Sequence, residues 1–169
     1  MTFKTFQAHG VVEPEARTPV GIKRVLVAVD FSAASNAGFQ HALLLAKHFG
    51  SDLMVLNVVS PVPALACQPI DGLPAYAEDE LARAEKGLAG LTKSAEQFGI
   101  KNARAIIRIG LPSHEIVEAA KDADIDLIVI ATHGYTGWKH FCIGGTAERV
   151  VRAAPCPVLV VRDKEHEFR

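Results

Sequence analysis

The stretch at 131–150, ATHGYTGWKHFCIGGTAERV, sets four glycines between an apolar run and a segment of helical character. Glycine accepts positive φ and lets a ligand approach the backbone closely. Successive free N–H groups form a concavity that holds anions. Gly144, Gly145 and Thr146 stand at the start of that last helix. Its first amides have no partner within the helix, and a phosphate is well held there. No Gly-Lys-Ser/Thr closes the stretch, so it is not a P-loop. The Thr146 hydroxyl can donate to a phosphate oxygen or cap the helix. The glycines can likewise serve tight turns alone.

Asp30 is the second residue with chemistry to offer. It ends the apolar run RVLVAV at 24–29 and precedes Ser32, a candidate N-cap. Its carboxylate can accept hydrogen bonds from a ribose or an adenine edge, or hold the start of the next helix. His133 and His140 match no standard metal spacing, and no Cys or acidic residue joins them compactly. No protein-bound metal is therefore expected. There are no paired carboxylates and no Ser-His-Asp signature, so no general base can be named. The chain is read as a binding protein rather than an enzyme, and any hydrolysis would be slow. Trp138 and Phe141 are expected to pack the loop onto the domain.

These residues need elements to position them. The run 24–29 reads as a buried strand. Phe39, Ala42, Leu43, Ala46 and Phe49 recur at helical spacing, and Gly50 closes that helix. LMVLNVV at 53–59 is a second strand, followed by a Pro-rich loop at 60–77. A helix over about 78–98 places Leu81, Ala84, Leu88, Leu91, Ala95 and Phe98 on one face. ARAIIRI at 103–109 is a third strand. Pro112 opens a short helix that turns Ile116, Val117 and Ala120 inward. DLIVIA at 126–131 is a fourth strand, and Asp122, Asp124 and Asp126 read as a solvated turn before it. A helix over about 146–153 and VLVV at 158–161 complete the chain. Strands alternating with helices, each strand apolar throughout, specify an α/β fold: a parallel sheet with helices on both faces. Ligands of such sheets bind beyond the carboxyl ends of the strands, and both Asp30 and the glycine stretch lie at such ends.

Composition bounds the rest. The 169 residues suit one domain: an extension at 1–21 and a folded unit at 22–165. A net charge of −1 without a basic stripe argues against a nucleic-acid partner. Cys67, Cys142 and Cys156 show no pair spacing, which fits a reducing compartment. Cys142 and Cys156 read as small buried hydrophobes. No signal peptide and no membrane span are visible, so a cytoplasmic protein is expected.

VLVAVDFSAAS, GLPSHEIVEAA, DLIVIATHGYTGWKHFCIGGTAERVV and APCPVLVVR, in that order, resemble the universal stress protein family over about residues 22–162. The resemblance implies an adenine nucleotide alpha-hydrolase-like fold, with five parallel strands in the order 3-2-1-4-5. It implies ATP as the ligand, with magnesium arriving on its phosphates. It implies that Ala28, Asp30 and Val58 line the adenosine. Ile130, His133, Gly134, Gly144, Gly145 and Thr146 would line the phosphates. Nucleotide-binding members carry Gly-x2-Gly-x9-Gly-Ser/Thr. Here the two middle glycines are Gly134 and Gly144, with nine residues between them; Ala131 and Gly145 depart from the ends of the motif. The resemblance also implies a homodimer paired through the last strand, about Pro157–Arg162. An apolar sheet edge there would need covering. The expected function is a stress-response sensor or regulator with an unidentified partner. The alternative is a nucleotide-independent interaction protein in which the loop is only structural. A hydrolase of the PP-loop type fits less well, because DFSAAS stands where Ser-Gly-Gly-x-Asp-Ser is needed.

Overall fold

A computed structural model describes residues 21–60, 73–132 and 145–162, with the backbone alone at 73–77. Along the chain lie β1 (Arg24–Ala28), α1 (Ala33–Phe49), β2 (Asp52–Val59), α2 (Leu73–Phe98) and β3 (Ala103–Ile109). Then follow α3 (Pro112–Asp122), β4 (Leu127–Ala131), α4 (Gly145–Ala153) and β5 (Val158–Val161). All five strands are parallel, in the order β3-β2-β1-β4-β5. β1 and β4 are therefore neighbours at the sheet centre, in register from Val25 beside Leu127 to Val27 beside Val129.

Side chains alternate along each strand, so the central strands feed two cores. Val25, Val27, Leu53, Val55 and Val129 pack against Phe39, Ala42 and Ala46 of α1 and Leu88 and Ala95 of α2. Leu26, Met54, Leu56, Ile128 and Ile130 pack against Ile116 and Ala120 of α3 and Val150 of α4. Burial on both faces is why these strands read as continuous apolar runs. β3 and β5 are the sheet edges.

Local signals explain the boundaries. Ser32 caps α1 in extended conformation, and Gly50 ends it with φ 68°. Pro112 stands in the first turn of α3, where its missing N–H costs nothing. Three expectations need correction. α2 starts at Leu73, so half of the expected second loop's last ten residues is already helical. Phe49, the last residue of α1, is 46% exposed and meets the His48 ring edge-on instead of the core. The acidic residues before β4 are not a merely solvated turn. Asp126 Oδ2 accepts the N–H groups of Lys23 and Arg24, both at 2.8 Å. Asp124 pairs with Arg24 at 2.6 Å, and Asp122 pairs with Arg108 at 2.5 Å. Asp126 thus satisfies the first N–H groups at the start of β1, whereas Asp122 and Asp124 stay exposed and pair at the surface.

Cys156 is half-buried, and burial pushes its thiol above the ordinary range, as expected for an unreactive cysteine. Cys67 and Cys142 lie outside the described residues. Among the described residues no helix is long and apolar enough to cross a membrane.

Candidate functional site

The carboxyl end of β1 is held from β2. The Val29 N–H donates to Leu56 O at 2.9 Å, and the buried Asn57 side chain donates to Val29 O at 2.8 Å. After Asp52 at its start, Asn57 is the one polar residue of β2. That isolation was the available signal for its role; buried polar groups in a strand need a specific partner.

From there the chain turns into α1 through Asp30, Phe31 and Ser32. Asp30 is half-buried. Its Oδ1 accepts from the Ser32 N–H at 3.0 Å and from the Ser32 hydroxyl at 2.6 Å. Ser32 Oγ in turn accepts the Ser35 N–H at 3.1 Å, and Ser35 Oγ accepts the Asp30 N–H at 3.3 Å. The network is cooperative, because each hydroxyl both donates and accepts. Asp30 thus shapes the start of α1. Its carboxylate lies on the turn that follows β1, which this network fixes. Phe31 adopts φ 63°, a left-handed conformation that residue patterning did not reveal.

Three of the expected lining residues meet on one face of the sheet. Ala28, Val58 and Ile130 all belong to the cluster on the α3/α4 side. Ala28 and Val58 are half-exposed there, and Ile130 is buried. Ala131 points the other way. A Cβ built on Gly38 of α1 would stand 4.0 Å from the Ala131 methyl, so that methyl faces α1. The departure at this motif position leaves the α3/α4 side untouched.

α4 leads into β5, which runs parallel to β4, so its N-terminus lies at the carboxyl end of the sheet. Ala147, in its first turn, is buried in the same cluster as Ile130. This brings the free amides of the first turn toward the face that Ala28 and Val58 share. Gly145 and Thr146 are exposed, and among the described residues nothing lies within 4 Å of where a Gly145 Cβ would stand. The described helix begins at Gly145, close to the expected start, and Thr146 lies in its first turn.

His133, Gly134 and Gly144 lie outside the described residues, as do Trp138, His140 and Phe141. Among the described residues no group of three or more His, Cys, Asp or Glu is placed to hold a metal ion. A concavity of about 560 Å³ opens at the opposite, amino-terminal ends of β1, β2 and β3. Within its lining the Asn102 side chain donates to Asp52, and Arg24 pairs with Asp124 beside it. It lies at the end of the sheet opposite Asp30 and Gly145.

The universal stress protein family pattern matches residues 21–162 of this chain. A universal stress protein of Methanocaldococcus jannaschii is 34% identical over 151 residues, spanning 86% of this chain and 85% of the relative. Universal stress protein UspA from Lactobacillus plantarum superposes with a TM-score of 0.75 at 29% identity, over 83% of this chain and 98% of that one. A universal stress protein solved with cAMP superposes with a TM-score of 0.65 at 20% identity, over 83% and 97%. Family proteins of Archaeoglobus fulgidus and Arabidopsis thaliana, each 19% identical, were solved with dAMP and AMP. At these lower identities the likeness concerns the fold.

Proposed function

Since this chain belongs to the universal stress protein family, we propose that it binds an adenine nucleotide at the carboxyl end of β1 and β4 and regulates a stress response as a homodimer. The observation that carries this reading is the convergence of Ala28, Val58 and Ile130 with the first turn of α4. The apolar residues offer a surface for adenine and ribose. The helix N-terminus offers amides and a favourable dipole to phosphate. Asp30, on its fixed turn, offers a carboxylate to the sugar or base. Gly145 has no side chain and no described residue lies within 4 Å of its Cβ position, which favours approach of a phosphate oxygen to the backbone. The nucleotides carried by fold neighbours, cAMP, dAMP and AMP, support the ligand class. ATP is the nucleotide we favour, with magnesium held by its phosphates rather than by the protein. The cytoplasm, where ATP is abundant, is the compartment this reading requires.

β5 supports the dimer. It is an edge strand whose Leu159 is 36% exposed, and a two-fold partner would cover its unpaired backbone and its side chain. Equilibrium dialysis with millimolar ATP and magnesium tests the binding reading; no bound nucleotide would end it. Gly144→Val, which blocks phosphate approach, is the matching control.

A second reading is a nucleotide-independent interaction protein. It is favoured by Gly145, which lacks the motif hydroxyl, and by the engagement of Asp30 Oδ1 with Ser32. It predicts an unchanged melting temperature in ATP and a dimer that still depends on β5.

A further inference from the structure

Phe31 is unusual in two ways at once. It is a bulky residue with φ 63°, and its side chain is 41% exposed although the residue adjoins the core strands. Left-handed backbone in a non-glycine residue persists only where its surroundings impose it. Here the surroundings are Gly87, in the middle of α2. A Cβ on Gly87 would fall 2.5 Å from Phe31 Cε1 and 2.7 Å from Cζ. The ring thus occupies the space that any side chain at position 87 would fill. Glycine inside a helix is unfavourable, and this one makes room for the ring.

The backbone of Phe31 joins the two partners of the turn. Asp30 precedes it and Ser32 follows it, and Asp30 Oδ1 accepts both the N–H and the hydroxyl of Ser32. Rotation of Phe31 to an ordinary negative φ would carry the Ser32 N–H away from Asp30. We propose that Phe31, docked on Gly87, is the positioning residue for Asp30, so that the placement of α2 sets the nucleotide affinity of the site. The claim rests on the nucleotide-binding reading for its consequence and on the turn geometry for its mechanism. α2 continues from the chain that follows β2, so a partner or modification that shifts α2 acts on the nucleotide through one aromatic contact.

The test compares the full-length wild type with Gly87→Ala, Phe31→Gly and the double variant. Two quantities are read: amide hydrogen exchange at Ser32, with Val129 as a core reference, and AMP affinity by calorimetry. Gly87→Ala expels the ring and releases the strained turn. It should speed Ser32 exchange about tenfold and weaken AMP binding about tenfold, with Val129 unchanged. Phe31→Gly adopts the left-handed turn without an anchor, so the double variant should return to within about threefold of Phe31→Gly alone. If Gly87→Ala does not fold, Phe31→Ala takes its place, since it keeps the strain and loses the dock. Unchanged Ser32 exchange in Gly87→Ala, or a double variant as impaired as Gly87→Ala, overturns the proposal. Should the wild type bind no AMP, the nucleotide reading fails, and Ser32 exchange alone still decides whether Phe31 holds the turn.

Discussion

Gly38 of α1 lies against Ala131 at the end of β4: a Cβ on Gly38 would stand 3.7 Å from the Ala131 nitrogen and 4.0 Å from its methyl. Those are ordinary contact distances. The methyl that departs from the family motif is accommodated by the helix behind the sheet, away from the face shared by Ala28 and Val58. Gly38→Ala should therefore fold normally and gain up to about 1 kcal/mol from helix propensity. Gly38→Leu should lose about 1–3 kcal/mol by overpacking. Urea denaturation measures both, and a destabilised Gly38→Ala would refute the contact geometry.

Gly145 is the other departure, and it is reversible. Among the described residues, nothing lies within 4 Å of where a side chain there would begin. Gly145→Ser restores the hydroxyl of the family motif. A hydrogen bond to a charged phosphate is worth about 1.5–3 kcal/mol, so ATP affinity should rise at least about tenfold. Calorimetry against the wild type reads this directly. An unchanged affinity would mean that phosphate does not approach the start of α4.

Ser32 links the site to the stability of α1. Ser32→Ala removes the cap to Ser35 N–H and one donor to Asp30. It should cost about 0.5–2 kcal/mol in denaturant unfolding. It should also weaken nucleotide binding, whereas a cap with no part in the site would change stability alone.

Leu159 tests the edge. Lysine on an exposed edge strand discourages strand pairing, so Leu159→Lys should shift the protein toward monomer in sedimentation equilibrium. Wild type sedimenting as a monomer throughout would dispose of the β5 dimer.

The fold was largely legible in the residues because its strands are buried on both faces. RVLVAV, LMVLNVV and DLIVIA are predominantly apolar for that physical reason, and Ser32, Gly50 and Pro112 mark helix ends by their own backbone chemistry. The early start of α2 was hidden by Pro74, which reads as loop yet is tolerated in a first helical turn. At the site, Asp30, Ala28, Val58 and Ile130 could be named from family resemblance. The common face of Ala28, Val58 and Ile130 depends on β1 lying beside β4, a pairing between residues about a hundred positions apart that no local pattern encodes. Phe31–Gly87 and Gly38–Ala131 were invisible for the same reason. Each is a contact between distant segments, and a glycine in a helix does not announce what it makes room for. Asn57 and the aspartates before β4 belong with them, since a polar residue's partner is set by topology.

The central claim is that an adenine nucleotide sits between the turn at Asp30 and the first turn of α4. Equilibrium dialysis of the purified wild type against millimolar ATP with magnesium, beside Gly144→Val, measures it most directly. The account predicts about one nucleotide per chain for the wild type and at least about tenfold weaker binding for the variant. No nucleotide on the wild type, or equal binding by both proteins, would contradict it.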